Sequence, residues 1–474
     1  MSDNYLIKGA HSILTGARGD AARSPASDVR VADGIITEMG TDLLPQPGER
    51  VLGARDCVVY PGWVNTHHHL FQSLLKGVPA GINLTLSPWL QAVPFIYRRA
   101  YNEERLRLAA RIGLVELMLS GCTTVADHHY IYAPGMGYDA SAALFEEADR
   151  LGVRFMLQRG GGTVTRKLED DDSTRVPPET LDGMLADVER IAARYHQRGP
   201  RARTRVALAP TTATVSVSVA RGELREMARA ARRMDVPLHT HMSETVSFME
   251  HCRAEFGCLP IEFLAEHEWL GPDVSLAHLT HLTDGELRLL AETGTGMAHC
   301  PQSNARLADG VARAPDLHRL GGAVSLGVDG AASNEAADML SEVHFCWLMH
   351  RAHAGAGTRP RPQGAGEAGA DTVSVEQVVH WASAGGARVL GFDGVGTLAV
   401  GQAADLAVYD LDTPRYFGLH DMAIGPVVAA GRPRLKWLLA AGRVLVEDDA
   451  IPGLDMAALR AEANADVLRL ARDI

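Results

Sequence analysis

Val64-Asn65-Thr66-His67-His68-His69-Leu70 closes an apolar run, and the same texture returns much later in the chain. His239-Thr240-His241-Met242-Ser243-Glu244 ends one such run, and Gly327-Val328-Asp329-Gly330 ends another. Each His or Asp stands at the end of a short apolar segment that reads as a strand. Neutral imidazoles and one carboxylate brought from separate strand ends are what a catalytic divalent metal needs.

Outward from these stretches the pattern is strand, loop, helix, repeated. Strands are expected at 62–67, 122–128, 153–159, 205–211, 236–241, 274–279, 295–300 and 323–329. Between them Glu103 to Leu119 carries Leu106, Leu108, Ile112, Leu114, Val115 and Leu117 on a broad apolar helical face. Ser141–Leu151 and Gly222–Met234 also read as helices. Eight such alternations fit an α/β fold, a (β/α)8 TIM barrel over 61–393, and the strands are apolar throughout because both faces are buried. A doubly wound open sheet is the alternative, but it normally places a Gly-rich phosphate loop after its first strand, and none follows here. Short strands separated by Gly, Asp and Pro fill residues 1–60, and similar ones occur in 394–474. These two ends are expected to form one β-sandwich. Thr165–Pro178 and His353–Ala370 read as long loops, and Gly160-Gly161-Gly162 as a flexible turn after the third strand.

The totals exclude some functions. A formal charge of −12 argues against nucleic acid or an anionic membrane as the main partner. Six cysteines lack CxxC spacing and read as buried small hydrophobes in a reducing compartment. No basic segment precedes a long apolar run at the start, and no stretch of about 18 apolar residues occurs, so a cytoplasmic location is expected.

His67 and His69 are two apart on an expected strand and so share its lumenal face, with His68 turned to the helix layer. His239 and His241 share a face likewise. The later one stands nearer the loop end, so His241 is the expected ligand and His239 a hydrogen-bonded core residue. Asp329 and His278 end the eighth and sixth strands. Taken singly, each has a bland reading as a turn Asp or a core His; their joint placement at separate strand ends points to a site at the barrel mouth. Glu244, three residues after His241, is placed for proton transfer above the metal. Only four lysines occur (8, 76, 167, 436), none in an expected barrel strand, so no bridging Lys is expected and the site should hold one metal.

On these residues the chain resembles the amidohydrolase superfamily, in its branch of mononuclear aromatic-base deaminases. The resemblance rests on Pro61–Gln72, His241–Glu244, Leu276–His278, Gly327–Asn334 and Gly396–Asp405, and covers nearly the whole length. His68–Gly77, Ala126–His128 with Tyr130 and Tyr132, His299–Asn304 and Gly330–Asp338 look most like members acting on isoxanthopterin. Members acting on 8-oxoguanine or on triazines come next. The resemblance implies hydrolytic deamination of a planar heterocycle, with guanine, cytosine and triazine substrates as alternatives. One divalent metal, zinc before iron or manganese, would be held by His67, His69, His241 and Asp329. Glu244 would shuttle a proton to a ring nitrogen, His278 would stabilise the attacking oxygen or the developing charge, and Asp329 would pass a proton to departing ammonia. Substrate contacts are expected from Gln72, Trp89, Arg159 and Tyr132, with packing or, for Arg159, a structural ion pair as the bland reading. Related barrels often dimerise, so a homo-oligomer is expected.

Overall fold

The computed structural model describes residues 4–164, 177–213, 218–356 and 372–474. The two expected long loops fall largely outside these residues. Eight parallel strands form one sheet in chain order: β1 Trp63–Asn65, β2 Cys122–His129, β3 Arg154–Arg159, β4 Thr204–Leu208, β5 Leu238–Met242, β6 Val274–His278, β7 Gly296–His299 and β8 Ala323–Leu326. Thr66 closes the ring. Its N–H donates to Leu326 O at 3.0 Å, and its hydroxyl meets Ser325 Oγ at 2.8 Å. All eight residues of β2 are buried, as a strand covered by lumen on one side and helices on the other requires. The helix Glu103–Leu119 starts on an Asn102 cap, whose side chain accepts from Arg105 N, and buries Leu106, Leu114 and Leu117.

Two details differ from the sequence reading. The first strand stops at Asn65, and His68–His69 forms a separate short pairing with Asp329–Gly330. Asp329 therefore lies beyond the end of β8 rather than on it. His67 sits in the break, and its carbonyl accepts from Asp329 N at 3.0 Å. The turn is fixed by Asp127, whose Oδ1 accepts Leu70 N–H at 2.7 Å, and by Asn65, whose Oδ1 accepts Val328 N–H at 3.0 Å.

Outside the barrel, Cys57–Pro61, Ser12–Leu14 and Arg23–Ser24 from the start of the chain join Leu406–Asp410, Arg434–Ala440 and Arg443–Glu447 from its end in a six-stranded sheet. A four-stranded sheet from the first 53 residues packs on it through Ile7, Val29, Val31, Val59, Val408 and Leu439. The chain then leaves these sheets. Its last helix, Met456–Leu470, returns to the barrel, where Arg105 Nε meets Asp466 Oδ2 at 2.8 Å. The six cysteines are free thiols, five of them buried. Among the described residues no helix is long and apolar enough to cross a membrane.

Candidate metal centre and active site

The ends of β1, β5, β6 and β8 meet at one rim. His67 Nε2 and His69 Nε2 lie 3.3 and 3.2 Å from Asp329 Oδ1, and His241 Nε2 lies 3.3 Å from His69 Nε2. Donor atoms of His67, His241, His278 and Asp329 all fall within 4.8 Å of one another, as do those of His67, His69, His128 and His241. Sequence reasoning thus picked out side chains that the fold does bring together. It gave no place to His128, which enters the same cluster from β2, although its Nε2 is engaged by Ala209 O at 2.8 Å. His68 points away, and its Nδ1 bonds the carbonyl of Asp329.

Two of these positions, His278 (φ 70°) and Asp329 (φ 58°), are held in left-handed backbone conformations rare for residues other than glycine, as is Ser243 (φ 51°) between Met242 and Glu244. Such residues cost roughly 1–3 kcal/mol each and persist where surrounding contacts hold them. Those contacts are visible. Asp329 Oδ2 accepts the hydroxyls of Ser303 at 2.6 Å and Ser333 at 2.8 Å, which leaves Oδ1 turned to the histidines. His278 Nδ1 meets Asn304 Oδ1 at 2.9 Å, and its Nε2 stands 3.5 Å from Glu244 Oε1. Ser303, Asn304 and Ser333 lie inside motifs visible in the sequence, but nothing in their spacing says which carboxylate or imidazole they support.

The electrostatics suit a cation. Burial holds the His67 and His241 imidazoles well below their ordinary pKa, so both are neutral lone-pair donors. For Asp329 burial works to raise the pKa, but the imidazoles of His67 and His69 beside it carry it well below the usual carboxylate range. His67 Nε2 and Asp329 Oδ1 are both buried without a hydrogen-bond partner. Two orphaned, inward-facing atoms in this donor set are what a metal would satisfy. The residues present therefore fit one divalent ion.

The centre opens into a cavity of about 340 Å³, lined by His69, His241, Glu244, His278 and Asp329 on one side. Gln72, Trp89 and Tyr130 line another side, with Leu86, Phe95 and Phe248 supplying apolar wall. Gln72 Oε1 and Trp89 Nε1 are buried and unpartnered. Gly330 makes room for this arrangement, since a Cβ there would collide with Gln72 Oε1. Thr212 and His251 also line the cavity and had no role in the sequence reading, where Tyr130 entered only as part of a motif. Two expected contacts are absent from it. Arg159 is spent on Glu179 at 2.6 Å and Asp187 at 3.0 Å, and its guanidinium lies 3.9 Å from the centroid of the Tyr132 ring. Tyr132 in turn hydrogen-bonds Ser141 Oγ at 2.9 Å. Both serve packing and ion pairing beside the site, the bland reading of each.

Comparison with known proteins agrees with this geometry. The amidohydrolase family profile matches residues 58–434. The chain belongs to the amidohydrolase family. Its members carry the hydrolase fold described above, and this chain is an aminohydrolase, an enzyme acting on non-peptide carbon–nitrogen bonds. It is 54% identical over 473 residues to an isoxanthopterin deaminase from an unknown prokaryotic organism, covering 99% of this chain and 98% of that one. An 8-oxoguanine deaminase of Pseudomonas aeruginosa is 39% identical, over 93% and 94% of the two chains. Among solved structures, an amidohydrolase from an environmental sample of the Sargasso Sea superimposes with a TM-score of 0.85 at 50% identity, covering 99% of each chain. The zinc complex of an atrazine chlorohydrolase from Arthrobacter aurescens does so with a TM-score of 0.87 at 27% identity, over 98% of this chain and 100% of that one.

Proposed function

We propose that this amidohydrolase is a zinc-dependent deaminase of a planar amino-oxo heterocycle, with a pterin of the isoxanthopterin type as substrate. The observation that carries the reading is the convergence of His69, His241, Glu244, His278 and Asp329 at the wall of a single cavity, with the orphaned His67 Nε2 buried 3.3 Å from the orphaned Asp329 Oδ1. The likeness to an isoxanthopterin deaminase over nearly the whole chain supports the choice of substrate.

His67, His69, His241 and Asp329 would hold the ion. When bound, zinc supplies the Lewis acidity that makes water a nucleophile near neutral pH. The chain's own groups do the rest. Glu244 takes a proton from the water and delivers it to a ring nitrogen next to the amino-bearing carbon. His278, fixed through Nδ1 by Asn304, turns Nε2 to the attacking oxygen. Asp329, fixed through Oδ2 by two serines, passes the second proton to the departing amine. Water and the amino heterocycle become ammonia and a carbonyl. Gln72 Oε1 is a free acceptor and Trp89 Nε1–H a free donor, and together they complement the N–H and C=O of a lactam edge.

The test is ammonia release from isoxanthopterin, followed across a panel of pterins, oxopurines, cytosine and triazines. Isoxanthopterin is expected to give the highest kcat/KM. Glu244→Gln is expected to lose about 10²- to 10⁴-fold in turnover with its zinc content unchanged. Undiminished turnover in that variant defeats the mechanism, and a triazine or oxopurine leading the panel defeats the substrate.

A further inference from the structure

Four imidazoles turn Nε2 to the centre, and in each case Nδ1 is held from behind. His69 Nδ1 meets the carbonyl of His128 at 2.7 Å, and His241 Nδ1 meets that of Thr211 at 2.5 Å. A carbonyl only accepts, so both rings must carry their proton on Nδ1 and offer a lone pair at Nε2. His67 is different. Its Nδ1 lies 2.9 Å from Nε2 of another histidine, His239. An imidazole nitrogen can donate or accept, so this contact does not by itself decide where the His67 proton sits.

The decision is made further out. His239 Nδ1 meets Ser275 Oγ at 2.8 Å, directly across the β5–β6 ladder, where His239 and Ser275 are register partners. Ser275 Oγ in turn reaches the carbonyl of Leu238 at 3.5 Å, a long contact but one with a single sense. With the serine proton directed to that carbonyl, Ser275 accepts from His239 Nδ1–H. His239 Nε2 is then a lone pair, and it must accept from His67 Nδ1–H. The lone pair of His67 is thereby placed on Nε2, facing Asp329 Oδ1 at 3.3 Å. Lone pair against carboxylate at that distance is repulsive unless a cation stands between them. All of these groups are buried, so no bulk water competes for the proton positions.

We propose that His239 is a positioning residue: it fixes His67 in the tautomer that gives Nε2 to the metal, and Ser275 fixes His239. Among the three histidines assigned to the ion, His67 alone has a side chain rather than the backbone behind it, so substitution at 239 selectively weakens one ligand. The proposal rests on the metal centre argued above.

The test is zinc affinity of the full chain by chelator competition, with thermal unfolding of the metal-free proteins alongside. His239→Phe fills the space without an acceptor and is expected to weaken zinc binding about 10- to 100-fold. His239→Gln offers a side-chain carbonyl to His67 Nδ1 and is expected to recover most of that loss. Ser275→Ala is expected to weaken binding several-fold, and it decides the matter if His239→Phe fails to fold. Wild-type affinity in a folded His239→Phe or, failing that, in Ser275→Ala overturns the proposal, as does a Gln variant no better than Phe. A wild-type chain that takes up no zinc removes the metal centre, and the proposal falls with it.

Discussion

Arg159 shows how a residue's chemistry is set by neighbours that its sequence position does not announce. It ends β3 pointing away from the cavity and is almost fully buried, paired with Glu179 and Asp187. Burial alone would lower its pKa, but Glu179 reverses that and the guanidinium stays charged. Removing one partner of a buried pair strands the other charges. Arg159→Met is therefore expected to cost about 3–5 kcal/mol in urea unfolding, while KM for the heterocycle stays near the wild-type value. A raised KM with undiminished stability would return Arg159 to the substrate site. Gln72 is the opposite case: it lines the cavity, and its buried side-chain oxygen has no hydrogen-bond partner.

At the scale of elements, the site depends on short segments that follow the strands rather than on the strands themselves. The helix Pro301–Arg306 starts immediately after β7 and supplies Ser303 to Asp329 and Asn304 to His278. It is docked on the helix Met339–Gly355 by Glu342, whose Oε1 accepts Gln302 N–H at 2.9 Å. Burial raises the Glu342 carboxyl from its ordinary 4.5 to about 8. The folded chain thus keeps a proton that the unfolded chain gives up above pH 4.5. The stability this group contributes is full below 4.5, declines as pH rises, and is lost above 8. Glu342→Gln keeps an acceptor but removes the titration. Between pH 5 and pH 8 its Tm is expected to fall less than the wild-type Tm; parallel curves would show that Glu342 ionises in the unfolded and folded chains alike.

Across the whole molecule, the barrel and the sheets built from both chain ends are joined by polar contacts as well as apolar ones. Arg154 at the start of β3 makes a two-pronged contact with Asp405, at 2.7 and 3.1 Å, and both side chains are buried. Trp63 Nε1 on β1 donates to Tyr409 Oη at 2.8 Å. Asp405→Asn leaves the Arg154 charge uncompensated and is expected to cost about 3–5 kcal/mol in urea unfolding, with zinc affinity unchanged because the pair lies away from the rim. Loss of zinc at equal stability would instead tie the sheets to the centre.

Much of this was legible beforehand, for reasons that differ by element. The eight strands read correctly because burial on both faces forces unbroken apolar runs, and the ligand motifs stood out because His and Asp are costly at the ends of such runs. The break between Asn65 and His68 was not legible, since a local loss of ladder pairing leaves no trace in residue type. Nor were the proton order through His239 and Ser275, the serines behind Asp329 or the partners of Arg159. By itself the sequence determined the architecture, the family and most of the side chains that meet at the rim, His128 excepted, because periodicity and residue chemistry are local properties. Only the tertiary structure decided which nitrogen each imidazole presents, which oxygen of Asp329 is free and which polar groups face the cavity. Hydrogen-bond partners are chosen by proximity in space, and here they come from residues tens to hundreds of positions apart.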